Sequence, residues 1–479
     1  MSTASPSPTT AGPRWRDLAG GGRAPLLALI LLGDWLVAAD ALVTTTLMPS
    51  VGASLSGFAW FGWTTSAFLT GTVVAGASAG WLSERIGLRN AMALSGLVLT
   101  IGCLMSAAAP DMGWFIAGRV FQGAAGGWVA GLTYVVMATA FPQAMLPRLF
   151  ALANSVWGVA TLLGPLIGGI FADAGWWRGV FWLFAAQAAL FGLATLWLIP
   201  RRASGEEHGG VPVGALVLLT LAIASVSAAG VIEAVPVAAG LFAGGVALLA
   251  AAILRDLRSP HGLLPASVKG RGSPLRAAYA VYFATTAAGV AFSLYGPTLL
   301  RATLGLSGLA AGYVVAAEAV AWTTVAIAIS GAGQQWQRRW LVGGPVLILA
   351  GVAMQAVVLG GGSMVAVILS GLLLGTGFGA CYPFLGQRVM AMLSAAETTR
   401  GSAAIAGVRG AGGAVGAAVA SLAANAAGFA TGLSPATAPM VALAAFGASL
   451  PFALWSVAAA IRVVRARADQ AAAGLTAAA

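Results

Sequence analysis

The sequence predicts an all-α integral membrane fold: two six-helix bundles plus two additional central helices, fourteen transmembrane helices in all. Three observations carry this. Of the 479 residues, 59% are hydrophobic and only 8% are charged, whereas about a quarter of a typical soluble sequence is charged. Apolar runs of the length a bilayer needs, about 17 to 25 residues, recur along the whole chain. They centre near Asp40, Thr70, Leu99, Trp128, Thr161, Phe191, Ala222, Gly245, Gly289, Val320, Ala350, Leu372, Val415 and Leu450. Finally, the cations alternate. With the N-terminus in the cytoplasm, 20 of the 24 Lys and Arg fall inside, Arg178 and Arg301 fall outside, and Arg119 and Arg409 lie within spans. That asymmetry favours an even number of spans with both termini cytoplasmic.

Residues 1–24 are polar and read as a cytoplasmic tail. No secretory signal is expected, because the first apolar run, Leu26 to Met48, is too long for a signal core. Residues 25–200 hold six spans. Residues 201–274 hold two inserted apolar helices with flanking cytoplasmic loops. Residues 275–463 hold the second six spans, and 464–479 form a C-terminal tail. The 66 glycines read first as close-packing surfaces between helices.

Several function classes drop out. The net charge of +11 is a topology signal, with anionic lipid headgroups as a secondary use, so no nucleic-acid partner is expected. The single lysine, Lys269, follows Val268, which leaves no phosphate-binding GxxxxGK[ST] loop. Cys103 and Cys381 sit in apolar runs with no Cys or His nearby and are expected to be core residues. His208 and His261 fall in polar loops, so no metal site is expected. An enzyme reading finds no nucleophile–base pair. No cofactor is expected.

The first span, however, carries two carboxylates, Asp34 and Asp40, in GDWLVAADALVTTTLMP. A charged Asp at mid-bilayer costs about 2.5 to 3.5 kcal/mol on insertion scales. Asp40 precedes Pro49 by nine residues, a depth of about 13 Å. Arg119 in the fourth span lies at a comparable depth, so both should face the bundle interior and neutralise each other. Two readings stay open. Asp40 takes up and releases a proton under the influence of Arg119, since a nearby cation and desolvation act oppositely on a carboxylate. Alternatively, the two form a static ion pair. Asp34, about 9 Å nearer the cytoplasm, is a second proton site, a cation contact or an acid bonded to neighbouring helices. Glu318, in VVAAEAVAW near mid-bilayer, is either a coupling acid or a protonated, hydrogen-bonded one.

Interior aromatics supply the expected substrate-cavity wall: Phe121, Trp157, Tyr282, Phe292, Tyr295 and Trp322, with Gln122 beside them. The bland alternative for any one of them is core packing. Ring faces and carboxylates both attract cations, so a lipophilic, cationic small-molecule substrate is expected. Trp60, Trp63, Trp176 and Trp177 read as a belt at the membrane–water interface.

Several stretches share the motifs of one family. GWLSERIGLRN, Gly80 to Asn90, resembles the loop signature GxLaDRxGRK of the major facilitator superfamily, with Glu84 for the Asp and Leu88 for the first basic residue. RVFQGAAGG, Arg119 to Gly127, resembles its fourth-helix motif RxxqGxgaa. GVATLLGPLIGG, Gly158 to Gly169, resembles the fifth-helix "antiporter" motif ending GPxxGG. DALVTTTLMP, Asp40 to Pro49, is similar to the LDxTIVNVALP of drug:proton antiporters with fourteen spans. In the second half, LYGPTLLRATLGLSGLAAG and GSAAIAGVRGAGGAVGAAVA resemble PxyxQxxxGxSpxxaG and GxASgxxnxxRqxGGaxGxA. The loop signature's repeat, SGAGQQWQRR from Ser330, has lost its acid.

The resemblance implies a major facilitator fold and proton-coupled efflux of drugs or secondary metabolites by alternating access, from a monomer in the plasma membrane. It implies a charged clasp at Gly80, Glu84, Arg85, Gly87 and Arg89 that favours one access state. It implies a packing surface and pivot at Gly158, Gly164, Pro165, Gly168 and Gly169, and a coupling role for Arg409. A proton-coupled importer of the same fold, and a non-transporting receptor, remain the alternatives.

Overall fold

The computed structural model describes residues 14–57, 60–201, 212–259, 262–270 and 272–478, without the side chains of residues 431 and 467–478. Expectations placed on Arg202, His208, His261, Arg271 and Arg467 fall outside this description.

The helices are α1 (Ala24–Ser54), α2 (Phe61–Ile86), α3 (Leu88–Ala107), α4 (Met112–Ala140), α5 (Leu146–Asp173), α6 (Arg178–Leu198), α7 (Val213–Ala229), α8 (Val235–Arg258), α9 (Pro274–Leu304), α10 (Gly308–Ile329), α11 (Gln334–Val358), α12 (Met364–Met392), α13 (Thr398–Ala426), α14 (Ala438–Gly447) and α15 (Leu450–Ala478). Every expected span centre falls on a helix. The last is broken near Ser449, between α14 and α15. Among the described residues, 12 helices suffice by length and composition to cross a membrane, with Ala438–Ala466 counted as one. The two expected spans that fall short are α2 and α7. Threonine, serine and glycine dilute the hydropathy of α2, and α7 is only 17 residues long. The α15 backbone stays helical through the stretch expected to be a C-terminal tail.

Helices α1 to α6 close around one core that includes Leu36, Val43, Phe115 and Phe191. Helices α9 to α15 close around a second, with Tyr282, Phe292, Phe378 and Phe446. Lipid is as apolar as leucine, so close backbone approach rather than water exclusion holds such bundles together. Accordingly, a Cβ on Gly123 or Gly127 of α4 would overlap the Phe68 or Thr72 carbonyl of α2, and one on Gly412 or Gly416 of α13 would overlap α9.

The halves meet at the end where α1 begins, here called the basic end because Arg85, Arg89, Arg148 and Arg400 lie there. A Cβ on Gly80 of α2 would stand 2.8 Å from the Arg400 Cα of α13, and one on Gly407 of α13 would stand 2.8 Å from Ala77 of α2. Phe150 of α5 covers Gly386 of α12, and Gln387 donates to the Gln143 carbonyl at 3.0 Å. By contrast α1 packs on α4, α5 and α6, and α9 on α10, α12, α13 and α15, each inside its own half. The conformation is therefore closed at the basic end. Gly87 joins α2 to α3 at φ 81°, a backbone angle that glycine takes without strain, and so sets Glu84 and Arg85 at the mouth of the seam.

Candidate functional site

The deepest polar cluster lies within the first half. Asp40 of α1 and Arg119 of α4 are 2% and 3% exposed, and their Oδ2 and Nη1 are 2.9 Å apart. The same Nη1 donates to Thr44, one turn along α1, and to Gln122, one turn along α4. Gln122 in turn donates to the Gly102 carbonyl and the Ser106 hydroxyl of α3. The guanidinium lies over the Phe68 ring of α2, 4.3 Å from its centroid. Four helices thus converge on one cation. Yet Asp40 Oδ1 and Arg119 Nε, both buried, have no hydrogen-bond partner. The pair is tightly placed but not saturated, which leaves the carboxylate one oxygen on which to take a proton.

A second cluster spans the halves, nearer the basic end. Arg409 of α13 donates to the Tyr134 hydroxyl of α4 at 2.7 Å and lies over the Tyr382 ring of α12 at 4.8 Å. Tyr382 shares its hydroxyl with Thr285 and Thr286 of α9, each at 3.0 Å. Around it stand Tyr282, edge-on at 5.0 Å, and Phe378, which stacks on Trp322 of α10 at 4.7 Å. The Trp322 indole N–H is buried without an acceptor. Asp34 of α1 is half-buried, makes no hydrogen bond or ion pair among the described residues, and feels the Arg409 charge. Glu318 of α10 lies one turn from Trp322 on the same helix face, half-buried and also without such a partner. One cation is thus held in an aromatic layer where the halves meet, with Glu318 one turn from Trp322 on α10 and Asp34 within the field of Arg409.

The structure sorts the other expected residues. Glu84 pairs with Arg400 of the opposite half, and Arg85 lies 5.9 Å over the Trp81 ring. Gly158 is an inter-half contact, where a Cβ would overlap Thr323 of α10. Gly164 and Gly168, flanking Pro165, instead face Leu42 and Thr46 of α1, and Gly169 faces open space. The pivot surface thus reduces to Gly158, because one helix cannot turn all its glycines to the same neighbour.

The expected cavity wall is also corrected. Phe292 is fully buried and Tyr295 donates to Ser421 at 2.9 Å, so both are core of the second half. Phe121 is 41% exposed, about 200° round α4 from Arg119, and does not join the cluster. Trp157 is exposed on α5, on the face that Gly164 and Gly168 turn to α1, and makes no ring contact with the cluster among the described residues. Tyr282 and Trp322 are brought together, through Tyr382 and Phe378. Trp177, expected in the interfacial belt, is buried against Phe115 and Phe181. Cys103 and Cys381 are buried and free. Among the described residues no three His, Cys, Asp or Glu side chains gather as a metal site would need.

Sequence reasoning missed Tyr134, Phe378, Tyr382 and Arg400. For Tyr382 a signal was present: GACYPFLG sets a hydroxylated ring in a run of small residues.

A family model of the Major Facilitator Superfamily matches residues 27–417. The chain belongs to that superfamily. A probable multidrug-efflux transporter of Mycobacterium tuberculosis is 33% identical over 409 residues, 82% of this chain and 85% of the relative. The fold is shared with a human organic anion transporter at a TM-score of 0.65, with 18% identity over 92% of this chain and 99% of that one. It is shared too with the Escherichia coli fucose:proton symporter, at a TM-score of 0.58 and 15% identity, covering 90% of this chain and 98% of that one. This facilitator is a multi-pass membrane transporter, a class that moves solutes rather than transforming them.

Proposed function

We propose that this facilitator is a proton-coupled antiporter of the fourteen-helix drug:proton type. It works in the plasma membrane with both termini in the cytoplasm and exports lipophilic, cationic drugs or secondary metabolites. The observation that carries the reading is the buried Asp40–Arg119 pair with one carboxylate oxygen left free. Ionisable side chains inside the membrane are costly and rare, and by default they mark functional sites. The likeness to a multidrug-efflux transporter supports the outward direction.

In this scheme the substrate enters the aromatic layer between the halves, where Asp34 and Glu318 meet its positive charge and the Trp322–Phe378 stack meets its rings. Protonation of Asp40 loosens its hold on Arg119, and the four helices that converge on that cation respond together. Closure at the basic end corresponds to the outward-facing state. One proton exchanged for one monovalent cation moves no net charge, so the drive is the pH difference: each unit supplies about 1.4 kcal/mol, enough for a gradient of about tenfold.

The test is dye efflux driven by an imposed pH gradient in proteoliposomes, comparing the native chain with Asp40→Asn. Native efflux that collapses with the gradient, and an Asp40→Asn variant that binds dye yet does not couple, are expected. Equal gradient-driven efflux by the two proteins sinks the reading.

A further inference from the structure

The inserted hairpin has a definite seat. Toward the basic end α2 and α13 touch directly, Ala77 on Gly407 and Val73 on Gly410. Toward the opposite end α7 lies between them. Ser66 of α2 donates its hydroxyl to the Ser227 carbonyl at 3.2 Å, and a Cβ on Gly62 would stand 3.5 Å from the Val231 Cβ just past α7. On the other flank a Cβ on Gly230 would stand 3.7 Å from the Ala418 Cα of α13. One stripe of α7, Ala215, Leu219, Ala222, Ile223 and Val226, is buried, at the spacing of a single helix face, and α8 covers part of it, with Gly245 against Ala222 and Val226. Ile223 and Val226 share a cluster with Val73 of α2 and with Val415 and Ala418 of α13. The opposite face of α7, with Val213, Val217 and Leu221, is exposed.

The two flanks differ. Toward α2 there is a hydrogen bond and a close fit of Val231 on Gly62. Toward α13 the packing is made by Ala411, Ala414, Val415 and Ala418; the Ser421 hydroxyl also lies near Gly230 but accepts from Tyr295 of its own half, and no hydrogen bond joins α7 to α13 among the described residues. A helix can part from such a surface without stranding a polar group, whereas leaving α2 would strip the Ser227 carbonyl of the Ser66 hydroxyl.

We propose that α7 is a wedge. It holds α2 and α13 apart at the end opposite the basic one, travels with α2, and must leave α13 before the halves can rock the other way. The proposal rests on the alternating-access reading above. On this view the inserted hairpin sets how readily the transporter leaves the conformation closed at the basic end.

Cysteine pairs test it, in a background carrying Cys103→Ala and Cys381→Ala. One pair, Gly230→Cys with Ala418→Cys, ties α7 to α13. The other, Gly62→Cys with Val231→Cys, ties α7 to α2, at a Cβ spacing that suits a disulfide. Two readouts are taken, oxidised and reduced: dye efflux, and maleimide labelling of Ala403→Cys, a buried position at the basic-end seam that becomes reachable when that end opens. The α7–α13 disulfide is expected to cut both readouts about tenfold, reversibly, and the α7–α2 disulfide to leave both within about twofold, since only the first opposes a population shift. Unchanged labelling with α7 tied to α13 overturns the wedge, as does equal loss with α7 tied to α2. A reduced protein that labels normally but moves no dye counts against the proposed substrate class, not against the wedge.

Discussion

Arg409 and Tyr134 fasten the two halves to each other: a guanidinium fixed in the aromatic layer of the second half reaches a phenol on α4 of the first, at 2.7 Å. Tyr134→Phe removes the acceptor while keeping the ring contact with Phe150. A hydrogen bond to a charged group contributes about 1.5 kcal/mol or more, which is about tenfold in an equilibrium. The variant is expected to raise labelling at the basic-end seam by about that factor, with little change in thermal stability. Unaltered labelling would mean the bond forms in both conformations.

Glu84 and Arg400 form the second fastening, and their partial exposure, 32% and 22% of the side chains, limits it to about 0.2 to 1 kcal/mol. Glu84→Gln is therefore expected to open the basic end by no more than about fivefold. At the corresponding site Arg148 of α5, in the first half, comes within 2.7 Å of a Cβ placed on Gly331 of the second half, at the turn where the repeated loop signature has no acid. Gly331→Asp supplies the missing partner and is expected to shift the equilibrium the opposite way by a similar factor. Labelling rates of the two variants and their combination check both signs.

Much of this was legible before the structure. The spans followed from run length, because a bilayer admits few alternatives to a continuous apolar helix. Asp40 and Arg119 were paired by depth alone, since neither tolerates lipid. What periodicity did not show was which way a side chain turns on a helix that is apolar all round. Phe292 and Tyr295 went into the core and Phe121 to the outside for that reason. Contacts across the seam, such as Glu84–Arg400 and Arg409–Tyr134, join residues more than 270 positions apart and leave no local pattern. The loop signature named Glu84 but not Arg400, the cation it pairs with, because that partner is near in space and not in sequence.

Asp40 and Arg119 should also be coupled in stability. Removing one member of a buried ion pair costs about 3 to 5 kcal/mol, because the other charge is stranded. Arg119→Ala is therefore expected to lower the unfolding temperature in detergent sharply. Asp40→Asn combined with Arg119→Gln leaves no buried charge and is expected to recover more than half of the loss. Transport separates structure from coupling: the double variant should be stable yet deaf to the pH gradient. A double variant as unstable as Arg119→Ala would show that other groups, not the stranded carboxylate, account for the loss.

Outside the membrane-spanning segments, Glu397 links the loop after α8 to the start of α13. It accepts from the Ser267 amide at 2.9 Å, from the Ser267 hydroxyl, and from Ser394 at 3.1 Å. Burial works to raise its pKa, but these hydrogen bonds to the ionised form, chiefly from Ser267, outweigh it and hold the carboxylate below its ordinary value of 4.5. A depressed folded pKa means that the contact's contribution is complete above the ordinary value and is lost as pH falls through the folded one. Docking of this loop should thus be constant from neutral pH down to about 5 and weaken only in stronger acid. Hydrogen exchange at the Ser267 amide, followed against pH, reads it directly. Glu397→Gln is expected to exchange faster at neutral pH and to lose the acid-dependent step. An acid-dependent step that persists in Glu397→Gln would assign it to another group.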